Sequence, residues 1–229
     1  MPRFDAKFWK DCGNYWLHIA PQGTPEWLRE RAKCLLTASK FGEVLGVNFE
    51  KPIAEDDTLR SNGACIVNIS KEQALTDERM LHGILTEPKA RKWYESVQKV
   101  KVEEVGIATP KWDTRIGASV DGMLDNGIIE IKCPLRMYYP LLDYLDKKEA
   151  GWNEPPFYHE HIWLSHYCQM QGGMAVTGKE WCDYIVYCVP EGKVFAQRIF
   201  YNQKFWENIL YPKICEKLAA YPRDVTIDS

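Results

Sequence analysis

The 229-residue sequence lacks the long apolar run of a membrane-spanning helix, since no stretch approaches the roughly 20 apolar residues that cross a bilayer. Its beginning, MPRFDAKFWK, has no apolar core of the kind that a signal peptide needs. Net charge is also small, because 29 Lys+Arg face 32 Asp+Glu for a formal charge of −3. We therefore expect an intracellular protein without a membrane partner. Any nucleic-acid contact then depends on a local patch or on metal ions.

Several sequence motifs are missing as well. The chain has eight cysteines, but no two of them are separated by the two to four residues that zinc sites require. Without a secretory signal, free and buried thiols are the better interpretation. The sequence has neither a glycine-rich phosphate loop nor a Gly-x-Ser-x-Gly motif. Nucleotide hydrolysis and serine hydrolase chemistry therefore have no support.

The composition is that of a globular domain, with 45% hydrophobic and 27% charged residues. A chain of this length fits one domain, so we expect a single domain over residues 1–229. Its core should cover about residues 24–200, followed by a helical C-terminal segment at about 202–222.

Hydrophobic periodicity and capping residues predict a fold of alternating helices and strands. Pro88 should kink or restart its helix, and Pro212 should interrupt the last one. The predicted helices cover residues 25–33, 37–45, 72–97, 136–150, 159–176 and 203–221. The predicted strands cover residues 99–104, 115–124, 128–132, 184–189 and 194–200. This order predicts an α/β or α+β fold with a central, mixed and largely antiparallel sheet flanked by helices.

The strongest local signal is Asn126-Gly127, which lies between two predicted strands and is typical of a tight hairpin turn. With these two residues as the turn, Asp121 lies directly opposite Lys132. Side chains alternate along a strand, so Asp121, Glu130 and Lys132 share one face of the sheet. The isoleucines beside Glu130 take the other face, where a hydrophobic core needs them.

Two carboxylates and a lysine at this separation have two interpretations. The pair of carboxylates can bind a hard divalent cation such as Mg²⁺, which prefers oxygen ligands and lowers the pKa of a bound water. The lysine can orient that water, and a lowered pKa would let it transfer protons. The other interpretation is a cross-strand ion pair on a solvated sheet face, which contributes roughly 0.2–1 kcal/mol.

Four shorter motifs supply further polar groups. An arginine close to a helix N-terminus is typical of an anion site. Glu87 also fits a capping carboxylate, and Arg31 also fits a surface residue stacked on Trp27. The motifs are Trp27-x3-Arg31, Thr37-Ala38-Ser39, Gly83-x3-Glu87 and Gln169-x-Gln171.

In their order and spacing, these motifs resemble the phage lambda exonuclease, or YqaJ-like viral recombinase, family. That family belongs to the PD-(D/E)xK nuclease superfamily, so the resemblance implies a restriction-endonuclease-like core. It extends over roughly residues 24–200. The matching motifs are Trp27-x3-Arg31, Thr37-Ala38-Ser39, Gly83-x3-Glu87, Ser119-Val120-Asp121-Gly122, Glu130-Ile131-Lys132-Cys133 and Gln169-Met170-Gln171.

The resemblance implies a role for each matching residue. Metal ions, two Mg²⁺ with Mn²⁺ as a substitute, would bind Asp121, Glu130, the carbonyl of Ile131 and Glu87. Lys132 would position or activate the attacking water, assisted by Gln171. The 5′-phosphate of the digested strand would bind a set of polar side chains from Arg31, Thr37, Ser39 and Ser119.

The family's activity implies a 5′→3′ exonuclease acting on double-stranded DNA ends in the cytoplasm of a host cell, from a virus or prophage. A homotrimer and a single-strand annealing partner are implied as well. The segments 47–70 and 147–161 have no counterpart in the family's pattern, and Val120 stands where many members have proline. Two alternatives remain, an endonuclease or flap-type nuclease of the same superfamily and a DNA-end-binding module without turnover. The DNA-end-binding module is disfavoured because the sequence keeps all four of the expected carboxylate and lysine side chains, Glu87, Asp121, Glu130 and Lys132.

Overall fold

The computed structural model describes residues 4–46, 65–149 and 161–221 of the chain. Most of the segments 47–70 and 147–161 therefore lies outside the described residues. The strands are β1 Trp9–Asp11, β2 Tyr15–His18, β3 Leu36–Thr37, β4 Ala108–Pro110, β5 Ile116–Gly117, β6 Gly122–Met123, β7 Gly127–Lys132, β8 Trp181–Cys188 and β9 Lys193–Phe200. The helices are α1 Pro25–Ala32, a 3-10 helix Ala38–Leu45, α2 Cys65–Gln98, α3 Tyr139–Glu149, α4 Leu164–Thr177, α5 Gln203–Phe205, a π-helix Trp206–Leu210 and α6 Tyr211–Leu218. The predicted mixture of helices and strands is confirmed.

The strands form several small sheets rather than the single central sheet that the sequence predicts. One sheet has the order β1-β2-β4, a second pairs β3 with β5, and a third has the order β6-β7-β8-β9. The β3–β5 and β7–β8 pairs are parallel, and the other pairs are antiparallel. The prediction missed the division because β3, β5 and β6 are only two residues long. Such short strands show no alternating pattern.

The four-stranded sheet is covered on both faces. Ile128 of β7 packs with the large core that includes Met170 and Met174 of α4. Its neighbour Ile129 packs on the other face, with Ala90 and other residues of α2. Burial on both faces is typical of parallel strands joined by helical crossovers, as β7 and β8 are by α3 and α4. The sheet therefore places the residues of β7 between two helices.

The β6–β7 hairpin has a different register from the predicted one. Gly122 pairs with Ile129, and the amide of Leu124 donates to the carbonyl of Gly127 at 2.9 Å. The turn therefore consists of the two residues before Gly127, and the pairing of Asp121 with Lys132 was wrong by two residues. Because the shift is even, the predicted division of side chains between the two faces is unchanged.

The cause of the shift is the packing of Gly127. This glycine belongs to β7, and a Cβ added to it would lie 2.4 Å from the indole ring of Trp181 on β8. The glycine is therefore required for close contact between neighbouring strands and not for a left-handed turn. Its φ angle is not among the positive ones of the described residues.

The first two helices agree with their predicted positions. Thr24 accepts a hydrogen bond from the amide of Trp27, which caps α1, and Pro25 occupies its first turn. The 3-10 helix follows directly after β3 and packs against α4. Close contact there requires Gly172, where a Cβ would lie 2.2 Å from the ring of Phe41. This contact fixes the 3-10 helix against the core.

Helix α2 continues through Pro88, so the predicted restart of the helix was wrong. Its last turns stay helical because Ala90 and Tyr94 pack on the sheet. The strand predicted over residues 99–104 was also wrong, since only an isolated bridge between Glu103 and Met123 forms there. The fold thus brings the α2 helix, rather than a further strand, beside β7.

The C-terminal helical segment contains the predicted interruption, but one turn before Pro212. The π-helix Trp206–Leu210 precedes the proline, which lies in the first turn of α6. A wider turn accommodates both the missing amide and the ring of a proline. Among the described residues, no helix is long and apolar enough to cross a membrane. The seven cysteines whose side chains the structure describes form no disulfide. Four of them are buried as predicted, whereas Cys12, Cys133 and Cys215 are half-buried.

Candidate active site

The N-terminal end of β6 brings Asp121 beside β7. Continuing the observed register beyond Gly122 and Ile129 places Asp121 directly opposite Glu130. The backbone amide of Ile131 donates to Oδ2 of Asp121 at 2.6 Å. Ile131 thus contacts Asp121 through its backbone amide. The predicted contact between the carbonyl of Ile131 and a metal ion stays a prediction.

Lys132 is the cation of this cluster. Its Nζ lies 2.7 Å from Oε1 of Glu130 and donates to Oε1 of Gln169 on α4 at 3.1 Å. Glu130 itself is only 2% exposed. The lysine is thus held between a buried carboxylate of its own strand and an amide of the helix above the sheet.

Gln171 does not lie at this position. Its side-chain amide donates to the carbonyl of Phe200 at 3.0 Å, and its Oε1 accepts from the amide of Asn202 at 2.7 Å. These contacts connect α4 to the end of β9. Gln169 instead makes the contact with Lys132, and the assisting role that the resemblance gives to Gln171 stays a prediction. Two residues along a helix point to different sides, so only one of the two glutamines can reach the lysine.

Helix α2 contributes Glu87, whose side chain is held by the buried Arg91 of the same helix. Nη2 of Arg91 lies 2.6 Å from Oε1 of Glu87, one helical turn away. The same guanidinium donates from Nε to the backbone carbonyl of Asp121 at 3.1 Å. Glu87 is thus attached to the segment that carries Asp121. The structure therefore brings Glu87, Asp121, Glu130 and Lys132 together, although they come from a helix, the segment before β6 and strand β7.

The three carboxylates destabilise one another's charge. The pKa of Glu130 is raised to about 8, mainly by burial and with contributions from Asp121 and Glu87, against the opposing effect of Lys132. Burial also raises the pKa of Glu87 to about 7, with a contribution from Asp121. For Asp121, burial again raises the pKa, against the opposing effects of Lys132, the Ile131 amide and Arg91. A cluster of this kind favours a bound cation, which would remove the repulsion.

Lys132 has the opposite shift from the one that a proton-transferring lysine needs. Burial lowers its pKa, but Glu130 and Asp121 raise it by more, so that it lies above its ordinary value. Without metal, the pKa is thus raised rather than lowered, and a role of Lys132 in proton transfer stays a prediction. Lys132 remains a cation at neutral pH. Its ammonium group can orient a water or stabilise negative charge.

The donor chemistry of the cluster fits a hard divalent cation. Asp121, Glu130 and Glu87 supply carboxylate oxygens, which such ions prefer. As the side chains stand, no three His, Cys, Asp or Glu groups of the described residues are arranged as a complete metal site. Lys132 pairs with one oxygen of Glu130, and Arg91 pairs with one oxygen of Glu87. Metal ligation by these residues therefore stays a prediction.

A second polar cluster surrounds Arg31 on α1. Its Nη2 donates to Ser39 Oγ at 2.9 Å and to Thr37 Oγ1 at 3.3 Å, and its Nη1 donates to Ser119 Oγ at 3.4 Å. The guanidinium lies over the ring of Trp27, 5.2 Å from its centroid. All four residues predicted to bind a phosphate are thus brought together. Thr37 Oγ1 and Ser39 Oγ also lie 3.1 Å apart, so one of these two hydroxyls donates to the other, and the accepting one keeps its own proton for a further acceptor.

Arg31 has no counter-ion among the described carboxylates, since its contacts are with hydroxyls and an indole ring. Burial accordingly lowers its pKa from the ordinary value. A half-buried guanidinium without an anion is typical of a site for phosphate or carboxylate. Ser119 connects this cluster to the carboxylates, because it precedes Asp121 by two residues. Because two residues of chain extend at most about 7 Å, the backbone positions of Ser119 and Asp121 lie within this distance of each other.

The sequence interpretation missed three residues of the site. Arg91 could have been found from its position four residues after Glu87, which is the spacing of a helical ion pair. Gln169 stood in the same motif as Gln171, but only the orientation of α4 distinguishes them. Glu104, whose Oε2 lies 2.7 Å from Nη1 of Arg91, gave no signal. Its segment was assigned to a strand that does not form.

Comparisons with known proteins agree with the predicted family. The sequence model of the YqaJ-like viral recombinase domain matches residues 26–180. A comparison with curated protein sequences gave no match.

Solved structures of exonucleases are similar to the chain. The alkaline exonuclease LHK-Exo from Laribacter hongkongensis is 26% identical, with a TM-score of 0.55 over 86% of this chain and 92% of that chain. The same enzyme in complex with dAMP gives 26% identity and a TM-score of 0.57, with the same coverage of 86% and 92%. A phage-related exonuclease from Haemophilus somnus 129PT is 14% identical, with a TM-score of 0.47 over 84% of this chain and 94% of that chain.

Proposed function

Because the chain belongs to the YqaJ-like viral recombinase family, we propose that it is a Mg²⁺-dependent exonuclease of a viral or prophage recombination system. It degrades double-stranded DNA in the 5′→3′ direction from 5′-phosphorylated ends. One observation supports this most strongly. The Arg31 cluster, which lacks a counter-ion, is joined through Ser119 to the carboxylates that include Asp121. An end-binding pocket beside a hydrolytic site is what an exonuclease needs.

The carboxylate cluster supports phosphodiester hydrolysis. Asp121 and Glu130 would hold Mg²⁺, with the Ile131 carbonyl and Glu87 as further ligands, and two ions fit this set. When bound, the metal supplies a water of lowered pKa and stabilises charge that develops on the phosphate. Mn²⁺ can replace Mg²⁺ with the same oxygen ligands.

Lys132 has a separate role in this proposal. Its ammonium group, held by Gln169, orients the attacking water and stabilises negative charge next to the scissile phosphate. Gln169 therefore takes the assisting role that the sequence gave to Gln171. The contacts of Gln171 with Phe200 and Asn202 fit a structural role instead.

The Arg31 cluster would bind the terminal phosphate. The guanidinium neutralises its charge, and the hydroxyls of Thr37, Ser39 and Ser119 donate to its oxygens. The amides at the start of the 3-10 helix, which receive no side-chain cap from Thr37, are further donors. Binding at this position fixes which phosphodiester bond lies at the carboxylates. It therefore accounts for release of nucleotides from the 5′ end.

The remaining parts of the proposal rest on the family resemblance. They are a restriction-endonuclease-like PD-(D/E)xK core, a homotrimer around the DNA, a single-strand annealing protein as partner, and action in the cytoplasm of a host cell. The complex of LHK-Exo with dAMP supports a DNA substrate, since dAMP is a nucleotide of DNA. Its alkaline exonuclease activity supports the same reaction class.

The test is a nuclease assay with purified protein, Mg²⁺ and three substrates. They are a linear duplex with a 5′-phosphate and a label at the 5′ end, the same duplex labelled at the 3′ end, and a covalently closed circle. We expect early release of the 5′ label, later release of the 3′ label and an intact circle. EDTA should stop the reaction, and Mn²⁺ should restore it.

Other results would replace this proposal. Cutting of the circle would indicate an endonuclease that uses the same residues. First release of the 3′ label would contradict the polarity. No product from any substrate, with Mg²⁺ or with Mn²⁺, would leave the DNA-end-binding module as the function to test.

A further inference from the structure

Arg91 contacts three parts of the chain at once. Its Nη2 binds Glu87 on the same helix at 2.6 Å, its Nη1 binds Glu104 at 2.7 Å, and its Nε donates to the carbonyl of Asp121 at 3.1 Å. The side chain is 11% exposed, and Glu104 lies at the surface with 69% exposure. A single planar guanidinium therefore connects α2, the 99–107 connection and the segment that begins β6.

These contacts restrict the orientation of the carboxylates. A guanidinium has its donors in a rigid fork, so fixing Nε and Nη1 also fixes the direction of Nη2. The carboxylate of Glu87 then has one position relative to the backbone of Asp121. Without this connection, Glu87 extends from an exposed part of α2, where its neighbours Leu85 and Pro88 face solvent. Nothing else among the contacts described for Glu87 determines its orientation.

We propose that Arg91 is a positioning residue, which holds Glu87 and the backbone of Asp121 in the arrangement that binds divalent metal. The inference rests on the proposed function, since it concerns the same carboxylates. Arg91 does not contact the substrate or the reacting atoms in this role. Residues that orient metal ligands through hydrogen bonds change metal affinity by about 10- to 100-fold when they are replaced.

The test measures metal binding without DNA. Free Mn²⁺ is measured by electron paramagnetic resonance during a titration of wild-type protein and of the variant R91K. Lysine keeps the positive charge but loses the fork, so we expect about a tenfold weaker Mn²⁺ affinity. The matched control is R115K, because Arg115 is also buried, at 7% exposure, and also pairs with a carboxylate, Asp113 at 2.6 Å. R115K should lower the melting temperature and leave Mn²⁺ affinity unchanged.

A double-mutant cycle separates positioning from general loss of structure. If Arg91 acts through Glu87, R91K should weaken Mn²⁺ binding much less in an E87Q background than in the wild type. A second variant, E104D, keeps the charge and withdraws the outer anchor of Arg91 by one methylene. It changes an exposed residue, so it should fold, and it should weaken Mn²⁺ binding in the same direction as R91K by a smaller factor.

Three results would overturn the proposal. They are wild-type or stronger Mn²⁺ binding by R91K, equal losses from R91K in both backgrounds of the cycle, and equal losses in R91K and R115K. The proposed function fails separately. If wild-type protein binds no Mn²⁺ and degrades no DNA, the metal site itself is refuted. If wild-type protein binds Mn²⁺ and R91K binds it equally well, only the role of Arg91 is refuted.

Discussion

Two groups of charged side chains, one around Asp183 and one around Glu130, lie on neighbouring strands of the same sheet. They differ in the balance between negative and positive charges. Asp183 on β8 pairs with Ile129 of β7, and the next residue along β7 is Glu130. Asp183 is 6% exposed and Glu130 is 2% exposed. The two carboxylates thus have similar burial and lie on neighbouring strands, on opposite faces of the sheet.

Their partners differ. Both oxygens of Asp183 accept from the guanidinium of Arg198, at 2.8 and 2.9 Å, and Tyr94 donates to it at 2.6 Å. Arg198 also stacks on Trp181, with 3.6 Å to the ring centroid. This group has one carboxylate and one cation, so its charge is balanced locally.

The group around Glu130 has more carboxylates than cations. Among the described residues, Glu87, Asp121 and Glu130 are partnered by two cations, Arg91 and Lys132. The pKa of Glu130 rises to about 8 and that of Glu87 to about 7, mainly through burial. The comparison teaches that burial alone does not indicate function. Removal of one partner from a balanced pair destabilises the fold, whereas an excess of buried carboxylate is typical of a site for an added cation.

The largest effect is expected for the cation of the unbalanced group. The variant K132A should lower the rate of DNA cleavage by about 10³-fold, because a donor aimed at developing charge is lost. DNA binding should remain close to that of the wild type. Cleavage is measured with the labelled linear duplex and binding by fluorescence anisotropy. The control is K111A, which removes a lysine–aspartate pair of 2.6 Å elsewhere in the molecule. Full activity of K132A would remove Lys132 from the reaction.

A substitution in the Asp183–Arg198 group should lower the stability of the protein and leave its activity unchanged. The variant R198M leaves the buried Asp183 without its cation and should cost about 2–3 kcal/mol of unfolding free energy, below the range for fully buried pairs because Arg198 is partly exposed. For a domain of this size, this lowers Tm by roughly 5–10 °C. Below its Tm, the variant should cleave DNA as fast as the wild type. Normal Tm with lost cleavage would reverse the assignment of the two groups.

The Arg31 cluster should affect the choice of DNA end. The variant R31A should slow degradation of 5′-phosphorylated duplex by about 10- to 100-fold, since hydrogen bonds from a charged donor are lost. Degradation of a 5′-hydroxyl duplex should change much less. The matched control is R29A, which changes an exposed arginine of the same helix that pairs with Glu26. Equal losses on both ends in R31A would exclude the terminal phosphate as its ligand.

The smallest effect concerns pH. Glu130 and Glu87 have pKa values of about 8 and about 7, above the ordinary 4.5, so the folded metal-free protein keeps protons that the unfolded chain releases. The stabilisation from these protons is complete below pH 4.5 and is lost as pH rises through 7 and 8.

Mg²⁺ should therefore stabilise the protein more at alkaline pH, where the carboxylates are charged and repel each other. At roughly tenfold above its Kd, Mg²⁺ should raise Tm by about 3–5 °C near pH 8.5 and by less near pH 6. Thermal melts with and without Mg²⁺ measure the difference, and D121N serves as the control without a response. A Mg²⁺ shift that is independent of pH would contradict a site built from these carboxylates.

Local features of the sequence predicted much of this arrangement. The cap of α1 by Thr24 and the shared face of Asp121, Glu130 and Lys132 follow from short-range rules, because alternation along a strand depends only on parity. The register of the hairpin did not follow from such rules. Gly127 was read as a turn residue, whereas its small size is required by the ring of Trp181, a residue 54 positions later in the chain.

The residues that the sequence interpretation missed are those whose positions are determined by tertiary packing. The roles of Gln169 and Gln171 are decided by the rotation of α4 on the sheet, which no local pattern gives. The position of Glu104 depends on a connection that forms a single bridge instead of a strand. The division into three sheets likewise depends on pairings between distant short segments, such as β3 with β5.

The most direct test of the account is an anomalous diffraction measurement on crystals of the protein soaked in Mn²⁺. An excess of buried carboxylate predicts Mn²⁺ between the side chains of Asp121 and Glu130, with Glu87 within reach, and none at Asp183. Mn²⁺ at Asp183, or its absence from Asp121 and Glu130 at a saturating concentration, would contradict the assignment of the metal site.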